Sequence, residues 1–210
     1  MLEFHHYIEL IAFAVGIACF KNAWPFHFKL LLFLAGFTCL IELTGMIMWK
    51  VYHLENNWIY NIFSPIESLI VLYFFYAIIE KKRLKLIVLY SFFAAIAATF
   101  ITYYWHENFV LYNNYAAAFY YVLWIIGCCC FFVDAMSNEN TERLFQQSGF
   151  WFSLGLLFFA CSYILMISLY KIFVTLPSYK KIILIINMFS NGFMYGGFIG
   201  AFICQRINKK

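Results

Sequence analysis

Long apolar runs separated by short polar stretches fill the chain from end to end. Seven runs stand out, at about 4–21, 28–50, 58–79, 84–105, 111–133, 149–170 and 181–204. A helix needs roughly 20 apolar residues to cross a bilayer, and every run except the short first one reaches that length. The connections are brief and polar: KNAWPFHFK, YHLENN, EKKRLK, WHENF, DAMSNENTER and YKIFVTLPSYKK. The pattern predicts an all-α membrane protein, a seven-transmembrane helix bundle forming a single domain over 1–210. No repeat or low-complexity tract breaks it, and the closing QRINKK is too short to hold a soluble domain.

Composition sharpens this picture. The chain is 65% hydrophobic and only 11% charged, whereas a soluble domain carries about 25% charged residues. The lipid bilayer is therefore its main partner, and a soluble enzyme fold is excluded. A net charge of +4 gives no footprint for nucleic acid. The basic residues read instead as topology signals. With the N-terminus outside, the inner side holds Lys21, Lys29, Lys81, Lys82, Arg83, Lys85, Arg143, Arg206, Lys209 and Lys210. Lys50, Lys171, Lys180 and Lys181 then lie outside. The expected orientation is N-terminus out and C-terminus in, although the last outer loop breaks the rule and the DAMSNENTER connection is acidic. The start, MLEFHHYIEL, lacks the basic region and small-residue cleavage site of a secretory signal, so the first run reads as a retained helix. Trp24, Trp49, Trp58, Trp105 and Trp151 fall near predicted helix ends, where amphipathic rings settle; Trp124 reads as packed inside.

Two carboxylates stand where lipid-facing sequence has none: Glu42 in TCLIELTGM and Glu67 in YNIFSPIESLIVLYFF. Glu42 lies about ten residues from the outer end of its helix, or roughly 15 Å at 1.5 Å per residue. Glu67 lies about nine residues past Trp58 on the next helix, at similar depth. The short loop between them makes the two helices neighbours. Asn187 and Asn191 reach that depth on the seventh helix, one turn apart. Asn113 and Asn114 open the fifth helix, and Asn61 and Ser64 share the Glu67 side of the third. No Lys or Arg is deep enough to neutralise either glutamate. An ionisable residue inside a membrane is a functional-site candidate by default. The predicted ligand- or ion-binding set is Glu42, Glu67, Asn61, Ser64, Asn114, Asn187 and Asn191, lining an outward-facing polar chamber for a cation, a proton or a small amine-bearing ligand. The competing reading is polar glue, in which carboxyl groups bond to Asn, Ser or Tyr across helices for around 0.6 kcal/mol each. Pro65 would kink the third helix or free a carbonyl one turn earlier.

Other patterns are weighed the same way. His5, His6, His53 and His106 fall at the predicted outer surface, with Glu9, Glu55 and Glu107 nearby; His27 is inside. Such clusters can bind zinc or sense pH, but histidines that merely cap interfacial helix ends are commoner, and no metal site is assigned. The seven cysteines lie in apolar runs without CxxC spacing, and Cys128, Cys129 and Cys130 would splay around a helix as small packing residues. Gly192, Gly196 and Gly200 form two successive GxxxG steps, the small-residue face that lets helices approach closely. Packing within the bundle is the favoured reading, and a homodimer through the seventh helix is the alternative. No cofactor is expected. The seventh helix has no central Lys for a retinal Schiff base, no deep His cluster suits a membrane zinc hydrolase, and neither a Ser-His-Asp set nor a phosphate-cradling glycine loop is present.

The stretches ENNWIYNIFSPIESLIVLYFFY and GFWFSLGLLFFACSYIL resemble a recurring seven-helix module of Bacteroidota that occurs alone or ahead of histidine kinase domains. The resemblance implies a sensory or ligand-binding unit in the bacterial inner (cytoplasmic) membrane, with no catalytic residues to carry over. The chain differs in having no kinase after the helices, so a signal would pass to a separate signalling protein through EKKRLK or DAMSNENTER. The expected function is a receptor or sensor module. A small cation- or proton-coupled transporter or channel using the same carboxylates is the alternative. An intramembrane lipid-modifying enzyme comes third, since no nucleophile accompanies the carboxylates. Asp134, near the inner end of the fifth helix, is the main argument for a path continuing inward.

Overall fold

The computed structural model describes residues 4–105, 113–137, 141–173 and 179–207. These form seven α-helices and no strand: α1 (Phe4–Cys19), α2 (Phe26–Lys50), α3 (Asn57–Ile78), α4 (Lys82–Trp105), α5 (Asn114–Met136), α6 (Ser148–Phe173) and α7 (Tyr179–Ile207), with a short 3₁₀ turn at Thr141–Gln146 before α6. Six of them, α2 to α7, are long and apolar enough to cross a membrane. The sixteen residues of α1 rise about 24 Å at 1.5 Å each, short of a hydrocarbon core about 30 Å thick.

Local chemistry sets the boundaries. Pro25 stands immediately before α2, with φ −60° and ψ 153°, so the helix begins where proline's missing amide costs nothing. Asn113 caps α5, its side chain accepting the Ala116 amide at 3.0 Å, which starts that helix later than its apolar run alone suggests. The chain turns between α2 and α3 at His53, whose φ of 53° is left-handed. α3 runs unbroken through Pro65; proline removes the amide that would have bonded the carbonyl of Asn61.

Helices α1, α2, α3, α5, α6 and α7 pack in a ring, closed by α7 against α1, while α4 lies outside in the groove between α3 and α5. Only 17% of the apolar window of α4 is buried, as its position requires. The ring is filled by aromatic side chains: Trp124, Phe74, Phe75, Phe152, Phe198 and Phe202 are all fully buried. Phe74 meets Phe152 at 4.7 Å between centroids, and Phe152 meets Phe198 at 5.2 Å, both edge-to-face, the geometry their quadrupoles favour. Trp124 lies inside as its sequence position suggested, its indole N–H donating to Ser68 at 3.2 Å.

The closest helix contact is α6 on α7, and its glycines are not the ones the GxxxG pattern singled out. A Cβ on Gly197 would come within 2.7 Å of the Trp151 carbonyl and 3.0 Å of the Gly155 Cα; on Gly155 it would come within 2.5 Å of the Phe193 carbonyl. Gly155 and Gly197 therefore make the backbone-to-backbone seam. Gly200 faces the Trp151 side chain at 3.0 Å, but a Cβ on Gly192 or Gly196 would meet nothing within 4 Å. The reading of all three as a packing face within the bundle is corrected for these two, because Gly197, next to Gly196, occupies the helix side that α6 covers.

At one end of the bundle, polar groups are spent on tying helices together. Asp134 is buried and takes the Glu80 amide at 2.8 Å on one oxygen and the Lys81 amide at 3.1 Å on the other. It thus caps the start of α4 from across the bundle. Ser148 donates to Gln205 at 2.8 Å. Lys21 donates to the Arg206 carbonyl at 3.2 Å, and Arg206 bonds the Ala18 carbonyl. All described cysteines are free, with Cys128 and Cys130 buried and Cys129 exposed, splayed as the helical period dictates.

Candidate functional site

The opposite end gathers the residues that invite chemistry. It is built from the start of α1, the end of α2, the start of α3, the end of α6 and the start of α7. Glu42 is its hub. Tyr60, one turn into α3, donates its hydroxyl to Glu42 Oε2 at 3.0 Å. That approach depends on Gly45, where an added Cβ would lie 2.7 Å from the Tyr60 oxygen. Asn56 fastens the same crossing by donating to the Gly45 carbonyl at 3.0 Å. The small residue lets α3's phenol slide over α2 to the carboxylate behind it.

Glu9 comes in from α1. It is 3% exposed and accepts a hydrogen bond from Tyr195 of α7 at 2.5 Å. Glu9, Glu42 and Glu67 lie within electrostatic reach of one another, so three helices each bring one carboxylate into the same neighbourhood. Tyr195 is the only hydrogen-bond donor to Glu9, and Glu67 has no hydrogen bond and no ion pair, among the described residues. His5 and His6 stack with centroids 4.0 Å apart and planes at 30°, and their ring nitrogens lie with a Glu42 carboxylate oxygen in one group, all within 4.8 Å.

Two cavities adjoin this group. One of about 180 Å³ is lined by His5, His6, Glu42, Lys50, Asn56 and Tyr60, among others. A more enclosed one of about 100 Å³ is lined by His5, Glu42, Tyr163, Asn187 and Asn191 with three apolar neighbours. His5 and Glu42 belong to both walls. The Asn187 Oδ1 is buried without a hydrogen-bond partner, while Asn191 donates back to the Asn187 carbonyl at 2.8 Å.

The sequence-predicted set divides accordingly. Glu42, Asn187 and Asn191 line the chamber; Glu67 lines neither cavity but lies within electrostatic reach of Glu42 and Glu9. Asn61, Ser64 and Asn114 are not among the residues lining either cavity. The Asn61 side chain accepts the Asn113 amide at 3.0 Å and ties α3 to the start of α5. The Ser64 hydroxyl donates at 2.8 Å to the Tyr60 carbonyl in its own helix. Asn114 is exposed, its neighbour Asn113 having taken the capping role. Sequence reasoning missed Glu9, Tyr60 and Tyr195. Glu9 was legible in part: it is four residues after His5 and three after His6, which places it on their helix face. His5 and His6 were paired with Glu9 in sequence; in space Glu42 joins them. His106 and Glu107 lie outside the described residues.

No family model matches this chain, and no curated protein and no solved structure matches it either.

Proposed function

We propose that this protein is a receptor or sensor module of the inner membrane, crossing it seven times with the N-terminus out, the short α1 being accommodated by local thinning of the bilayer, and that its chamber receives a cationic ligand. The observation that carries the reading is the convergence of Glu9, Glu42 and Glu67 from α1, α2 and α3, with Glu67 unpaired by any described group. A carboxylate such as that of Glu67, kept inside a bilayer without a described hydrogen bond, is costly, and a cation would relieve that cost. The aromatic plug of Phe74, Phe75, Phe152 and Phe198 below them supports a closed floor rather than a path through. Asp134 had suggested such a path, but both its oxygens are engaged by backbone amides.

A cation among the three carboxylates would pull α1 toward α2 and α3, and Glu9 would carry that movement to α7 through Tyr195. Helix packing that differs between the empty and filled chamber is the two-state element a receptor requires. The signal would leave through a separate partner at the other end.

The test is reconstitution in liposomes, with proton and monovalent-cation flux measured for the wild type, Glu42→Gln and Glu67→Gln. The expected result is no flux above empty liposomes. Flux abolished by both substitutions would make the protein a transporter or channel instead.

A further inference from the structure

Two imidazoles and a carboxylate meet where α1 crosses α2, and we propose that His5, His6 and Glu42 bind one divalent transition-metal ion at the mouth of the chamber. This deepens the cationic-ligand reading and rests on it for what the ion would do there.

Donor type selects the ion. Two imidazole nitrogens and one carboxylate oxygen suit zinc, copper, nickel or iron, whereas an all-oxygen set would suit magnesium or calcium. Carboxylates alone lack such selectivity, and the histidines supply it.

Geometry is close to what binding needs. The three ligating atoms all lie within 4.8 Å of one another. Ligands held at about 2.0–2.1 Å around a tetrahedral ion stand roughly 3.4 Å apart, so closure by at most about 1.4 Å completes the set. Rings stacked at 4.0 Å and 30° cannot both aim a lone pair at one ion until one turns. His6 is 5% exposed and fixed by its surroundings. His5 is only half-buried and borders both cavities, so it has the space to turn. The Tyr60 hydroxyl on Glu42 Oε2 orients the carboxylate, the kind of support that metal ligands commonly receive. Three protein ligands beside open cavity volume leave a fourth position for water or a ligand, the arrangement of an open rather than a closed site.

The test uses protein purified in detergent without a histidine tag, stripped with a chelator and titrated with Co²⁺, whose visible absorption reports coordination. Zn²⁺ stoichiometry is measured by equilibrium dialysis and elemental analysis. The wild type should bind one Co²⁺ per chain with visible bands that Zn²⁺ abolishes. His5→Gln and Glu42→Gln should each weaken binding at least tenfold, and Tyr60→Phe should weaken it less. A variant carrying His27→Gln, His53→Gln and His106→Gln should leave it unchanged. Absence of a stoichiometric Co²⁺ spectrum in the wild type would overturn the metal site whatever the variants do. So would wild-type affinity in both His5→Gln and Glu42→Gln. The liposome result is separate: carboxylate-dependent flux would remove the receptor reading and leave a measured metal site standing.

Discussion

Replacing Asp134 by Asn separates a structural carboxylate from the functional ones. Asp134 gives one oxygen to the Glu80 amide at 2.8 Å and the other to the Lys81 amide at 3.1 Å. Asparagine keeps the shape but offers one acceptor, and its NH₂ group would face the second amide. One charge-assisted bond is lost and the other becomes neutral. Hydrogen bonds to charged groups contribute about 1.5–3 kcal/mol, against about 1 for neutral pairs. Asp134 is buried, but Glu80 and Lys81 are exposed, so water can take up part of what the amides lose. The expected loss is about 2 kcal/mol, up to a 30-fold shift in the folding equilibrium. The assay is reversible unfolding of the purified protein in mixed micelles with increasing denaturing detergent, followed by tryptophan fluorescence. Co²⁺ binding and liposome flux of the same variant should match the wild type. Unchanged stability would refute the cap. Altered flux would refute the assignment of Asp134 to structure and reopen a path through the floor.

Two further outcomes can be checked directly. Gly197→Leu should destabilise the bundle by about 2 kcal/mol or more, since even its Cβ falls 2.7 Å from the Trp151 carbonyl and overpacking costs about 1–3 kcal/mol; Gly196→Leu, where nothing lies within 4 Å, should unfold like the wild type. On the proposed orientation, a cysteine-free protein carrying His53→Cys should react with an impermeant maleimide on intact spheroplasts, whereas Lys82→Cys should react only after permeabilisation. The reverse pattern would turn the chamber toward the cytoplasm.

What the sequence made legible follows from the range of the forces involved. Helix number and approximate bounds are written in local hydrophobicity, because burying apolar surface depends only on the residues in each run. Boundaries moved where a specific contact outweighed hydrophobicity, as at Asn113, whose cap begins α5 at Asn114. The depth argument for Glu42 and Glu67 rests on a short loop and a rise of 1.5 Å per residue, and the two carboxylates do lie within electrostatic reach of each other. The third carboxylate needed ring closure. Nothing local says that α7 returns to α1, so nothing local says that Glu9 lies under Tyr195 or within reach of Glu67.

The glycine and asparagine readings failed for a related reason. Spacing along one helix tells which residues share a face, but not which neighbour that face meets. Gly192 and Gly196 share a face that α6 does not cover, while Gly197 faces the seam. Asn61 and Ser64 lie on the Glu67 side of α3, yet the first is turned to α5 and the second to its own helix. Polar side chains in a membrane bundle are taken first by backbone groups nearby, since water is not there to bond them. Asp134, Asn61, Ser64 and Asn56 all follow that rule. Glu67 does not: no described group bonds it. In this bundle a polar group that its own fold leaves unpaired is the better sign of a ligand than one that is merely buried. Among the described residues, Glu67 of α3 and the Oδ1 of Asn187 of α7 meet it, as do the Nε1 of Trp24 and the Oγ of Ser153, which line neither of the two cavities.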